Sequence, residues 1–280
     1  MGDSNRAIDV SKVRGDQQLS QADHIAVEEP LEIQLCSASP DGAAAKSISI
    51  TMRTPGDDAD LAVGFLFTES IIQEASQLVS VDHVGETDAD TGLRNRIRVE
   101  LRPEVEIDMQ KLERHFYTTS SCGVCGKASI DALHVTGLVS REDDRSEFRR
   151  DVISAMPAKL MAEQHLFSET GGLHAAALFD RNGDITVVKE DVGRHNAVDK
   201  VIGWMFRNGR LPAQHHGLLV SGRASFELMQ KSLVAGIPLF AAVGAPSSLA
   251  VRLAKDFGMT LIGFLRDGGF NIYSGKARII

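Results

Sequence analysis

The sequence predicts an α/β protein of two units: a smaller N-terminal α+β unit, then a larger C-terminal unit in which strands and helices alternate. Three observations carry this. The chain has 280 residues and 43% apolar side chains, enough for one large domain or two modest ones. Its first hundred residues hold short runs that alternate apolar and polar types, the period of half-buried strands. From about residue 118 the texture changes to short continuous apolar runs separated by helical stretches, as in a sheet covered on both faces. The expected boundaries are a tail over 1–25, an N-terminal α+β domain over 26–115, and a C-terminal α/β domain over 116–280.

The elements follow in order. Residues 1–25 mix polar and charged types without a period, which predicts a mobile tail. "LEIQLC" (31–36) and "SISITMR" (47–53) alternate and flank the turn-rich "SASPDGAAAK", a β-hairpin pattern. Pro55-Gly56 breaks the second strand. Asp57 or Asp58 can then cap a helix that buries one face through Leu61, Phe65, Leu66 and Ile72. "NRIRVELR" (95–102) is another alternating strand. In the second unit, Asn182-Gly183 marks a hairpin turn between "LHAAALFD" and "ITVVKED". "GLLVSG" (217–222), "IPLFAAVG" (237–244) and "TLIGFL" (260–265) read as buried strands of a largely parallel sheet. Helices are expected between them at 195–207, 225–235 and 247–257.

Composition excludes several functions. A formal charge of −8 argues against general nucleic-acid binding but leaves room for a local basic pocket. There is no run of eighteen apolar residues, so no membrane span is expected. The polar, acidic N-terminus lacks a signal-peptide pattern, and the expected compartment is the cytoplasm. Three cysteines cannot build a disulfide framework.

Candidate chemistry sits in two places. Strand ends are loaded with small and polar residues: "KEDVGRHNAVDK", "SGRASFELMQK", "GAPSS" and "RDGGF" each follow an apolar run. Ligands of doubly wound sheets bind beyond such ends, and backbone N–H groups there hold anions. Arg194, Arg223, Lys231 and Arg266 would add positive charge. One such loop is only a helix cap; four alike predict a pocket for a phosphorylated or nucleotide-like ligand. His195, Asn196, Asp199 and Lys200 recur at helical spacing, as a functional face or as ordinary capping with one ion pair. His174 reads by default as a satisfied core histidine.

The second place is "TTSSCGVCGKASID" (118–131), which holds Cys122 and Cys125. Glycines flank the pair, and a helix is expected from about Lys127 to Leu133. A helix N-terminus and Lys127 would lower thiol pKa values and so raise the thiolate fraction. A metal, a redox cycle and sulfur transfer all use such a pair. Zinc lacks two further ligands, and Cys36 is far off in the sequence. His174 could complete a deaminase-type site, but position 176 is Ala176, where that chemistry needs a Glu.

Seven blocks in order settle on a family. "EEPLEIQL", "MRTPGDDADLAVGFLFTESII", "SSCGVCG", "TGGLHAAAL", "EDVGRHNAVDKVIG", "SGRASFELMQK" and "TLIGFLRDGGFNIYSG" resemble the formate dehydrogenase accessory sulfurtransferase family, FdhD. The resemblance implies a cytidine-deaminase-like C-terminal domain. It implies a sulfurtransferase that takes persulfide sulfur from a cysteine desulfurase. The acceptor would be the molybdenum bis(molybdopterin guanine dinucleotide) cofactor of formate dehydrogenase. Cys122 would carry the persulfide, with Cys125 a second thiol of open role. Phe264, Leu265, Arg266, Asp267, Gly268 and Gly269 match the family's cofactor-binding segment, beside Arg194 and Arg223. A homodimer is implied too. The rival reading is a cofactor-binding chaperone that moves no sulfur.

Overall fold

The computed structural model describes residues 4–37, 45–105 and 144–280. Cys122, Cys125 and the helix expected after them lie outside the described residues.

The expected tail is corrected at residues 5–26. Strands β1 (Asn5–Arg14) and β2 (Gln17–Ala26) pair antiparallel over their full length. The two-residue loop Gly15-Asp16 starts with a glycine at φ 58°, the position a type II′ turn reserves for glycine. Nearly every residue of this hairpin is exposed on both faces. Burial therefore imposes no alternation on its sequence, and periodicity could not reveal it.

The N-terminal unit is a four-stranded sheet under one helix. β3 (Glu29–Ser37) pairs antiparallel with β4 (Lys46–Arg53), as the hairpin pattern predicts. β5 (Leu78–His83) and β6 (Arg96–Leu101) complete the order β4-β3-β6-β5. Leu31, Ile33, Leu35, Ile97, Val99 and Leu101 point to one buried face, where helix α1 (Asp58–Thr68) lies. Asp57 stands at the helix N-cap at φ 55°, and its side chain makes no cap hydrogen bond. Its carboxylate pairs with Lys189 instead, at 2.6 Å.

The C-terminal unit holds a six-stranded sheet in the order β12-β11-β10-β9-β7-β8. Its elements are α2 (Arg150–Glu163), α3 (His165–Thr170), β7 (His174–Asp180) and β8 (Ile185–Asp191). Then come α4 (Arg194–Arg207), β9 (His216–Val220), α5 (Phe226–Val234) and β10 (Leu239–Ala242). The chain ends with α6 (Ser248–Asp256), β11 (Thr260–Arg266) and β12 (Gly269–Ser274). Three helices fall within a residue or two of their expected limits. The sheet is mixed rather than largely parallel: only β9, β10 and β11 pair with one another in parallel, and the β7–β8 and β11–β12 hairpins flank them. Both faces are covered. Ala176, Leu178, Leu218, Val220 and Phe240 face α4, α5 and α6; Ala175, Ala177, Phe179, Leu219 and Ala241 face α2 and Phe148. Burial on both faces explains why these strands read as apolar runs.

The units meet where α1 crosses α4. The expected single buried face of α1 is corrected: Leu61, Ala62, Val63, Gly64 and Leu66 are all buried, since a sheet lies on one side and α4 on the other. A Cβ on Gly64 would fall 1.9 Å from the Asp199 carbonyl oxygen, and one on Gly203 would fall 1.8 Å from that of Asp60. The two backbones therefore touch, with no side chain between them. Among the described residues, no helix is long and apolar enough to cross a membrane.

Candidate functional site

Sheet topology gathers the polar loops. β8 is antiparallel to β7, and β7 is antiparallel to β9, so β8 points the same way as β9, β10 and β11. The carboxyl ends of these four strands share one edge of the sheet, together with the starts of β7 and β12. All four loops singled out in the sequence lie there. So do His174, at the first residue of β7, and Arg194 and His195, at the first turn of α4.

The loops are zipped together by their backbones. Gly244 N donates to Gly222 O at 2.9 Å, Ser247 N to Ala224 O at 2.9 Å, and Phe264 N to Gly244 O at 3.1 Å. A Cβ on Gly244 would fall 2.9 Å from Arg223 Cγ and 3.0 Å from Gly222 O, so only glycine permits this stacking. A Cβ on Gly222 would lie 3.5 Å from the His174 ring and 3.9 Å from Arg194 Cδ, which places both side chains over that turn.

The edge carries arginines, and its surroundings disfavour protonation of its imidazoles. Arg223 and Arg266 are exposed, and Arg194 is half-buried. Burial, then the Arg194 charge, lowers the pKa of His174, while Asp191 opposes. Burial, then Arg194 and Lys231, lowers His195 to about 4 against the pull of Glu227. His195 Nε2 lies 3.5 Å from Ser225 Oγ. The Nε of Arg194 is buried and, among the described residues, has no hydrogen-bond partner. A buried donor left unmatched is costly, so this one suits an incoming acceptor oxygen. Two cavities of about 280 Å³ each lie elsewhere. One is bounded by Ser4, Pro55, Glu163 and Lys189, the other by Lys255, Ile272 and Lys276.

The sequence profile of the FdhD/NarQ family matches residues 26–280. This chain belongs to that family. It is 48% identical over 278 residues to the Sulfur carrier protein FdhD of Mycolicibacterium paratuberculosis, covering 96% of this chain and 97% of that one. It is 46% identical over 272 residues to the protein of the same name from Streptomyces avermitilis, covering 96% and 94%. A crystal structure from Desulfotalea psychrophila, described as that of a candidate formate dehydrogenase accessory protein, matches with a TM-score of 0.73 at 23% identity. It covers 99% of this chain and 100% of that one, and shows a shared fold.

Residues 264–269, at the end of β11 and the start of β12, lie at the same edge. Phe264 is exposed at φ 53°, and Arg266 and Gly269 pair across the two-residue turn Asp267-Gly268. Leu265 differs from its neighbours: its side chain is fully buried in the core under α2, so only its backbone can face a ligand. Lys231 is corrected as a pocket cation. It is buried against Asp199 at 2.9 Å and Thr68 at 2.9 Å, between the units. His174 is corrected as a core histidine, being half-buried at the edge.

The helical row after Arg194 splits. His195 faces the edge, while Asn196, Asp199 and Lys200 are buried and bind the N-terminal unit. That is more than capping and one ion pair. Lys200 pairs with Asp191 at 2.7 Å and donates to Thr54 O and Glu190 O. Asp191 also accepts from Thr54 N, Gly193 N and Asn196 Nδ2. Asp191 and Thr54 were not read from the sequence. They lie 137 residues apart, and no local pattern announces such a contact.

Proposed function

We propose that this protein is a sulfur carrier that serves formate dehydrogenase. Cys122 accepts persulfide sulfur from a cysteine desulfurase. The sulfur then passes to the molybdenum bis(molybdopterin guanine dinucleotide) cofactor, bound as substrate at the strand-end edge. Support comes from the names of the 46–48% identical relatives and from the chemistry of the edge. One observation carries the ligand side: a chain of net charge −8 collects Arg194, Arg223 and Arg266 on one sheet edge, beside a buried Arg194 Nε that has no partner among the described residues. Guanidinium forks match phosphate oxygens, and glycine-lined turns let a pyrophosphate approach the backbone. In this reading the sheet with helices on both faces is the cytidine-deaminase-like layering that the family resemblance implies, and the working unit is a homodimer.

The chemistry balances. The Cys122 thiolate attacks the outer sulfur of the desulfurase persulfide, a new S–S bond forms, and the desulfurase thiolate leaves. No net oxidation occurs. Release from Cys122 as sulfide takes two electrons, which the Cys125 thiolate supplies by closing a Cys122–Cys125 disulfide. His195, held at about 4, brings no charge near neutrality, so the arginines are the anion-binding groups of the edge.

Intact-mass analysis after incubation with a cysteine desulfurase and cysteine tests the assignment. One labile sulfur is expected on the wild type and on Cys36→Ser, and none on Cys122→Ala. Equal loading of the wild type and Cys122→Ala would sink it. Full support of formate dehydrogenase by a variant lacking both Cys122 and Cys125 would favour a cofactor chaperone instead.

A further inference from the structure

We infer that the end of β4 and the residue after it, Thr51–Thr54, are part of the strand-end site: through Asp191 and Asn196 they set the position of the Arg194–His195 turn. The inference rests on the reading of that edge as the ligand site.

Asp191 ends β8, and the two-residue loop Val192-Gly193 leads from it to Arg194. β8 has no sheet neighbour other than β7 to hold this loop. Its fixed points come from the other unit. Thr54 N donates to Asp191 Oδ2 at 3.2 Å, and Val192 N donates to Thr54 Oγ1 at 3.2 Å. Asn196 Nδ2 donates to Met52 O at 2.7 Å, and Thr51 Oγ1 donates to Asn196 Oδ1 at 3.2 Å. Lys200, one turn on, donates to Thr54 O at 3.0 Å. These contacts bracket Arg194 and His195, with anchors two residues before Arg194 and one residue after His195. Asp191 ties the bracket into one unit, since it also accepts from Gly193 N and Asn196 Nδ2 within the loop. Thr54 is 1% exposed and Asp191 is 0% exposed, so water cannot replace a lost partner.

The consequence concerns geometry at the edge. Arg194 and His195 touch no residue of the N-terminal sheet in this network, yet their backbone is pinned by it. An arginine that binds a phosphate with two parallel bonds needs its backbone placed well, and a displacement of about 1 Å is enough to lose them. Thr51 and Thr54 are therefore positioning residues.

The test uses the full chain. Thr54→Val keeps the shape and removes the oxygen that Val192 N–H binds; Thr54→Ser keeps that oxygen. Guanosine diphosphate is the probe, titrated calorimetrically, with His195 protonation followed by NMR. The expected result is about tenfold or greater weakening of binding in Thr54→Val and near wild-type affinity in Thr54→Ser. Sulfur loading at Cys122 should be unchanged in both. His195, held near pKa 4 by burial and by Arg194, should titrate closer to the ordinary histidine range in Thr54→Val as the turn loosens. Wild-type affinity together with an unshifted His195 in Thr54→Val would overturn the inference, even if the melting temperature fell, since a merely structural role lowers only the latter. If Thr54→Val does not fold, Thr51→Val removes the Thr51 Oγ1 bond to Asn196 from the other clamp and is read the same way. If the wild type itself does not bind guanosine diphosphate, the ligand reading of the edge fails, and the His195 titration decides the inference alone.

Discussion

Gly203→Ala is the sharpest probe of how the two units are joined. In a free helix this change adds about 1 kcal/mol of stability, because alanine gives up less backbone freedom than glycine. Here the added Cβ would fall 1.8 Å from the Asp60 carbonyl oxygen and 2.7 Å from Gly64 N, both backbone atoms of α1. Ordinary contact begins near 3.4 Å, so the helices must separate by roughly 1.5 Å. Overpacking a core costs about 1–3 kcal/mol where side chains can yield, and backbone atoms cannot. The separation also stretches the contacts that span the same crossing: Thr68 Oγ1 to Asp199 at 3.0 Å and Arg207 to Asp60 at 2.6 Å. A total of about 3 kcal/mol or more, less the propensity gain, leaves a net loss of about 2 kcal/mol or more. At about 2–4 °C per kcal/mol, the melting temperature should fall by roughly 4–8 °C. Thermal unfolding followed by circular dichroism measures this, with Gly172→Ala as the control, because its Cβ would meet nothing nearer than 3.7 Å. A Gly203→Ala protein that melts at or above the wild-type temperature would refute the close crossing.

Two further outcomes are expected. Lys231→Met leaves Asp199 buried opposite no cation and should cost about 3–5 kcal/mol in urea unfolding, much of which Lys231→Met with Asp199→Leu should recover; equal losses in the single and double variants would contradict the pairing. His195 has its folded pKa depressed to about 4 against an ordinary 6.5, so the unfolded chain binds the proton more tightly. Its contribution to stability is present above pH 6.5 and is lost as pH falls from there towards about 4. The urea midpoint of the wild type should drop over that interval more steeply than that of His195→Asn; parallel curves would count against the assignment. About a third of the side chain is exposed, so the difference will be smaller than the full shift implies.

What the sequence disclosed follows from what each residue contacts. β9, β10 and β11 sit between layers, so both of their faces are apolar, and their runs are visible within five to eight residues. The strand-end loops were legible because glycine and arginine must recur where strands stop, and topology did the rest by turning β8 to point with them. β1 and β2 were not legible, because a hairpin exposed on both faces leaves no periodic trace. Lys231 and Asp199 misled for a related reason. A buried ion pair and an exposed one use the same letters, and only the distant Thr68 and Glu69 reveal that this pair lies inside the protein. The resemblance implied a role for Cys122 and left that of Cys125 open, and neither period nor spacing could separate the two thiols.

The junction also explains why glycines and ions occur together between α1 and α4. Gly64 and Gly203 let the backbones touch, but a contact between two smooth helix surfaces does not by itself choose a register. One turn of sliding would bring new small atoms together at little cost. The ions remove that freedom. Asp60 of α1 pairs with Arg207 and Lys189 of the other unit, and Thr68 and Thr54 bond Asp199 and Asp191 across the same junction; each of these contacts is satisfied in one register only. Sliding by a turn would leave the buried Asp60 without its cations, at a cost of several kcal/mol, and would strip Asp199 and Asp191 of a hydrogen-bond donor each. A similar volume of apolar side chains could hold the units together as firmly, but it would tolerate neighbouring registers. For the edge proposed to hold the ligand, whose neighbouring turn is bonded from the other unit at Thr54, register is the property that matters, and buried charge is the chemistry that secures it.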